Sequence, residues 1–167
     1  MDRSDGPIDP DVIVLGSGSL TAPILEALGG DRTAVIVSTA SEALAFEREG
    51  VVVITGDPSD DATLERAGIE SCDVVLVATD DDRTDALTIL TARSGNPSAR
   101  IVAAATNREN VRKLERAGAD AVISPASIGG GILVDSALST AGNRSRRGRG
   151  GTSGSNEKDG KNEENRD

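Results

Sequence analysis

The chain has 167 residues and a formal net charge of −10, with 28 acidic against 18 basic side chains, one Cys, and no His, Tyr or Trp. Such a length suits one domain of ordinary size, and a single Cys excludes an intramolecular disulfide or a multi-Cys metal site. So acidic a body repels nucleic-acid phosphates, no apolar run approaches the ~20 residues needed to span a bilayer, and the start MDRSDGPIDP is no signal peptide; the expectation is a soluble, cytoplasmic protein that inserts in no membrane and binds no nucleic acid.

The first apolar, β-branched run is Asp11–Leu15 (DVIVL), followed by Gly16-Ser17-Gly18-Ser19-Leu20 and a helical pattern. Thr33–Val37 (TAVIV) is the second run. After it, Thr39-Ala40-Ser41-Glu42 carries the capping-box pattern, with Gly50 placed to close that helix in a left-handed turn. Val51–Thr55 (VVVIT) follows, then a helix ending in Leu64-Glu65-Arg66-Ala67-Gly68. That pentapeptide recurs word for word at 114–118, which reads as one helix-stop-strand unit used twice. Asp73–Thr79 (DVVLVAT) is the fourth strand; Asp80-Asp81-Asp82 then favours a helix N-terminus, and Ser94-Gly95-Asn96-Pro97 breaks that helix. Arg100–Ala105 and the shorter Ala121–Ser124 complete the set. Continuous apolar runs, rather than alternating ones, mark strands buried on both faces. Strands alternating with helices then give an α/β, Rossmann-like, doubly wound and predominantly parallel sheet of about six strands.

Past Pro125, residues Ile128, Ile132, Leu133, Val134 and Leu138 share a helical face, although Gly129–Gly131 weaken its start. Leu138 is the last Leu, Ile, Val or Phe in the chain. The expected organisation is an N-terminal extension at 1–9, a domain at 10–142, and a polar tail at 143–167 that has no means of joining a core and reads as disordered. Fifteen Arg against three Lys, with abundant acids, Ala and Gly, is a composition of salt-loving, GC-rich microbes.

Chemistry points to the first strand-helix turn. A pyrophosphate needs backbone N–H donors at a helix N-terminus with no Cβ in the way, and Gly16-Ser17-Gly18 stands where such a loop belongs. Three residues depart from the usual pattern. Thr21 stands at the third glycine and would crowd helix against sheet, Pro23 lies just inside the helix, and Ser38 ends the second strand where a ribose-gripping carboxylate is expected. The ligand is therefore open among NAD, NADP, ATP, ADP and AMP. Cys72, with no His to activate it, reads as a small structural residue. Asp80–Asp82 reads as a solvated helix cap rather than a metal site, and the Arg-rich run 144–149 as part of the flexible tail.

Four segments together resemble the RCK or TrkA-N family, the nucleotide-binding domains that regulate conductance of potassium. They are Asp11–Ser19 (DVIVLGSGS), Val53–Ile69 (VITGDPSDDATLERAGI), Cys72–Asp82 (CDVVLVATDDD) and Lys113–Pro125 (KLERAGADAVISP). The resemblance implies a non-catalytic sensor of NAD(H) or adenine nucleotides that docks on a potassium channel or transporter, as a homodimer or higher homo-oligomer. It places Gly16, Ser17, Gly18, Ser19 and Leu20 at the phosphates and Ser38 and Thr39 by the ribose. Asp57, Thr79 and Asp80 would border the adenosine side. An arginine common after the fifth strand is Ala104 here, and only a polar tail stands where a second ligand domain often follows. Two other readings compete: an interaction scaffold that has lost nucleotide binding, and a small NAD(P)-dependent oxidoreductase, for which the chain has no His or Tyr as proton donor.

Overall fold

The computed structural model describes residues 8–30, 32–47 and 50–147. Six short strands, β1 (Val12–Leu15), β2 (Thr33–Val37), β3 (Val51–Thr55), β4 (Val74–Val77), β5 (Arg100–Ala104) and β6 (Ala121–Ile123), form one sheet. Its order is β3-β2-β1-β4-β5-β6, and every pairing is parallel. Between them run α1 (Thr21–Leu28), α2 (Ala40–Phe46), α3 (Asp61–Arg66), α4 (Asp82–Gly95) and α5 (Val111–Ala117). A 3-10 turn at Arg108–Asn110 leads into α5, and α6 (Pro125–Arg147) follows β6.

Successive strand residues face opposite sides of the sheet, so each central strand feeds two cores. Ile13, Leu15, Ile36, Val75, Val77 and Ile101 pack with Leu64 of α3, Ile89 of α4 and Leu114 of α5. On the other face Val14, Val35 and Val37 pack with Leu25 and Ile24 of α1 and Ala43 and Phe46 of α2. β2 is buried at all five positions, which is why its sequence is an unbroken apolar run.

The repeated pentapeptide is a structural device. Leu64 and Leu114 are both buried, and Gly68 and Gly118 both have positive φ, 82° and 122°. Each copy thus anchors a short helix with Leu and turns the chain into a strand with Gly. Asn96, from the expected helix breaker, and Arg93 just before that breaker hold a junction together. Buried Asn96 donates to the carbonyls of Ile69 and Cys72 and accepts from the N–H groups of Ser98 and Ala99. Arg93 donates to the carbonyls of Gly118, Pro97 and Ala99 and pairs with Asp120 at 2.8 Å.

Two local expectations are corrected. Gly50 has a left-handed φ of 83°, but α2 has already ended at Phe46, so Gly50 serves the turn into β3. The three glycines at 129–131 do not delay α6, which starts at Pro125, a residue preset for the first helical position. The chain divides into two units between Gly129 and Gly130, and α6 runs from Pro125 to Arg147. Of the expected extension at 1–9 and tail at 143–167, residues 1–7 and 148–167 lie outside the described residues.

Candidate functional site

The strand order reverses between β1 and β4, and parallel sheets take their ligands in the crevice at that switch point. The loop Gly16–Leu20 lies at the C-terminal end of β1, beside the Thr79-Asp80 turn that leaves β4. Gly16 has φ 102° and donates its N–H to the Ile36 carbonyl. A Cβ there would strike the Thr79 side chain, and one on Gly18 would strike the Ala78 carbonyl and stand 2.8 Å from Asp80 Oδ1. Both glycines are therefore demanded by the neighbouring turn as well as by any phosphate.

Thr21 does not crowd the helix as expected. It is fully buried, and its hydroxyl donates to the Gly16 carbonyl at 3.0 Å, so the side chain that replaces the third glycine ties the helix back to the loop. Thr21→Val keeps the shape and strands that carbonyl. The expected cost is about 1–3 kcal/mol of stability, measured by chemical denaturation; an unchanged midpoint would remove the role assigned to this bond.

α1 starts differently from its neighbours. Thr39 caps α2, Asp60 caps α3 and Asp81 caps α4, each through its side chain, but Leu20 at the start of α1 supplies none and the first turn holds no acid. Among the described residues no hydrogen bond occupies the backbone N–H of Ser17, Gly18 or Leu20. Uncapped donors at a helix N-terminus form an anion-binding arrangement.

Two carboxylates flank this loop. Asp80 accepts from Ser19 twice, from its N–H and its hydroxyl, both at 2.9 Å. Glu42 is the residue that sequence reasoning missed as a site candidate. Its Oε2 accepts from the N–H groups of Ser38 and Thr39 at 3.1 and 3.0 Å, at the tip of β2. The Ser17 hydroxyl beside it, more than any other contact, holds its carboxyl below the usual carboxylate range. The capping-box pattern contains the signal, since the last of its four residues, Glu42, reaches back to the N-cap backbone at the strand end before it.

Asp57 is engaged locally, accepting from the Ser59 hydroxyl at 2.6 Å and the Ser59 N–H at 2.8 Å, which hold its carboxyl low. Thr79 and Asp80 stand against the phosphate loop itself. The acids of 80–82 divide their work: Asp80 holds Ser19, Asp81 caps α4, and Asp82 accepts from Thr106 N, Asn107 N and Asn110 Nδ2. No His, Cys, Asp or Glu cluster suited to a metal occurs among the described residues. Cys72 is buried, which pushes its thiol up to about 11.

Beside the loop opens a cleft of about 160 Å³, lined by Ser19, Leu20, Ala78, Thr79, Asp80, Ala104, Ala105, Thr106, Pro125 and Ala126. None of these residues is basic. Ala104, where relatives of the resembled family often carry an arginine, lines the wall with a methyl group.

Residues 12–125 match the model of the TrkA-N domain. The Trk system potassium uptake protein TrkA homolog of Archaeoglobus fulgidus is 32% identical over 127 residues, covering 73% of this chain and 29% of that protein. The Kef CTD of Shewanella denitrificans in its AMP-bound form superposes with a TM-score of 0.67 at 22% identity, covering 78% of this chain and 81% of that one. The GsuK channel bound to NAD gives 0.60 at 23% identity, covering 72% of this chain and 22% of the other. The chain spans well under two thirds of the curated relatives it matches, from 14% to 57% of their lengths. Among the described residues no helix is long and apolar enough to cross a membrane.

Proposed function

The chain belongs to the TrkA-N domain family, and from that premise we propose that it is a cytoplasmic, non-catalytic nucleotide sensor acting on a potassium channel or transporter. The carrying observation is the uncapped start of α1 at the sheet's switch point, with the N–H groups of Ser17, Gly18 and Leu20 free for phosphate. Bound NAD and AMP in structures of similar fold support the ligand class. Glu42, at the tip of β2, supplies the acid that Ser38 lacks and accepts from ribose hydroxyls, so an unphosphorylated ribose is favoured over the 2′-phosphate of NADP. The sensor works by population shift: one ligand state favours one geometry of a homo-oligomer and so biases the gate. Exposed Ile132, Leu133, Val134 and Leu138 on α6 provide apolar surface for a second copy.

Calorimetric titration with NADH, NAD⁺, NADPH, ATP, ADP and AMP tests this reading. Molar KCl suits a chain whose surface acids we read as a salt adaptation. Binding of at least one of the unphosphorylated-ribose ligands is expected, with NADPH weaker. Glu42→Gln, which keeps the cap but not the charge, should narrow that preference. Equal affinities for NADH and NADPH in the wild type would remove Glu42 from the site.

A second reading is an interaction scaffold without nucleotide. It is favoured by Asp80 sitting on the Ser19 donors and by the lack of a basic residue in the cleft. Silence for all six ligands would leave it standing.

A further inference from the structure

We propose that Asp80 is an internal stand-in for phosphate: its carboxylate takes the N–H and hydroxyl donors of Ser19, and a nucleotide binds by displacing it. The inference rests on the nucleotide-sensing reading and deepens it to a mode of regulation.

Asp80 has no other work. It is the first of three consecutive acids, yet the helix that follows is capped by Asp81, which accepts from Arg83 N and Thr84 Oγ1. Asp82 is spent on Thr106, Asn107 and Asn110. Among the described residues Asp80 makes only the two bonds to Ser19, one to each oxygen, and both are exposed to solvent. The geometry is that of an anion at a helix N-terminus, two acceptor oxygens meeting an N–H and a hydroxyl from the loop that opens α1. Carboxylate and phosphate are alternative occupants of such donors. Among the described residues no basic side chain lines the cleft to neutralise both at once, so a phosphate arriving beside Asp80 meets like charge. Exposure makes the exchange feasible, because the released carboxylate is taken up by water.

Displacement also has somewhere to go. Asp80 adjoins Asp81 and Asp82, and Asp82 ties the start of α4 to the turn that leads from β5 into α5. When Asp80 lets go of Ser19, the β4–α4 turn loses its link to the phosphate loop while keeping its link to that second turn. Occupancy at the loop is thereby relayed across the sheet edge.

The test is calorimetric titration of the full chain with ADP and with AMP in EDTA, so that no divalent ion bridges ligand and carboxylate. Wild type is compared with Asp80→Ala and with Asp80→Asn, which keeps an acceptor but not the charge. Removing the occupant should tighten binding by roughly tenfold or more in Asp80→Ala, with Asp80→Asn in between. Binding by Asp80→Ala alone, with the wild type silent, supports the proposal equally. Equal or weaker binding by both variants overturns it and leaves the nucleotide-sensing reading intact. Silence from all three proteins toward ADP and AMP and then toward NADH, NAD⁺, NADPH and ATP, each protein shown folded by circular dichroism, overturns both.

Discussion

Gly18→Asp should abolish nucleotide binding, lowering affinity for the tightest of the six ligands by at least roughly a hundredfold. The substitution acts in two ways. Its Cβ meets the Ala78 carbonyl and stands 3.0 Å from the Asp80 backbone nitrogen, so the loop has to move away from the end of β4. Its carboxylate adds a charge like that of phosphate to a loop that already faces Asp80 and Glu42. The collision with backbone also costs stability, about 1–3 kcal/mol, because neither neighbour is a flexible side-chain tip. Titration on a variant shown folded by its melting curve separates these effects. Unchanged affinity would mean that ligands bind elsewhere on the molecule.

Asp85→Asn should stabilise the protein at neutral pH. Asp85 is fully buried; Oδ1 accepts from Thr79 N at 3.1 Å, while Oδ2 has no partner among the described residues, and neither has Thr88 Oγ1 on the same helix. Burial pushes its carboxyl up to about 6, against bonds from Thr79 that pull it down, and the nearby Asp82 and Asp81 charges add to the rise. An acid whose folded pKa lies above its unfolded value contributes stability that is complete below the unfolded pKa and lost as pH rises through the folded one. For Asp85 that window runs from about 3.8 to about 6, and the loss across it is of order 3 kcal/mol at most. Asn keeps an acceptor for Thr79 and never charges. At pH 7.5 it should raise the melting temperature by about 5–10 °C, and near pH 4 by little. Asp57, Asp81 and Asp120 have lowered carboxyls and act in the opposite direction as pH falls. They are common to both proteins, so the difference between the two pH profiles isolates Asp85. A gain that is the same at both pH values would assign the effect to packing instead.

Much of the architecture could be read from local pattern. The six strands lie within a residue or two of their expected spans; burial on both faces explains the unbroken run of β2, whereas the equally apolar edge strand β3 is exposed at Val52 and Thr55 and edge strand β6 at Ile123, a correction to the expected two-face burial. The glycine turn at 16–18 is legible for a related reason: two glycines directly after a strand and before a helix answer a demand for backbone conformation and clearance that few other residues meet. The duplicated Leu-Glu-Arg-Ala-Gly was visible as repetition, and its meaning follows from one apolar anchor and one left-handed turn.

The content of the site was less accessible. Thr21 looked like an obstruction because its hydroxyl's partner, the Gly16 carbonyl, is placed by the turn of the loop. Glu42 was recognised as a capping residue but not as a neighbour of Ser17, from which 25 positions of chain separate it. Ser38 and Thr39 both meet Glu42 through their N–H groups, which a reading of side chains passes over, although the Thr39 hydroxyl also makes the cap that the pattern shows. Arg93 and Asn96 likewise bond to carbonyls that converge only when the strands are assembled.

By itself, then, the sequence determined the parallel α/β fold, the position of the loop and the likeness to potassium-regulating nucleotide domains, since these rest on burial, glycine conformation and short-range order along the chain. The tertiary structure alone decided that Asp80 meets the Ser19 donors of the Gly16–Leu20 loop. Asp80 lies 61 positions from Ser19, and β1 and β4 become neighbours only when the sheet's order reverses between them. An interaction set by that reversal leaves no local trace in the sequence, because the constraint on Asp80 is where it arrives, not what surrounds it in the chain.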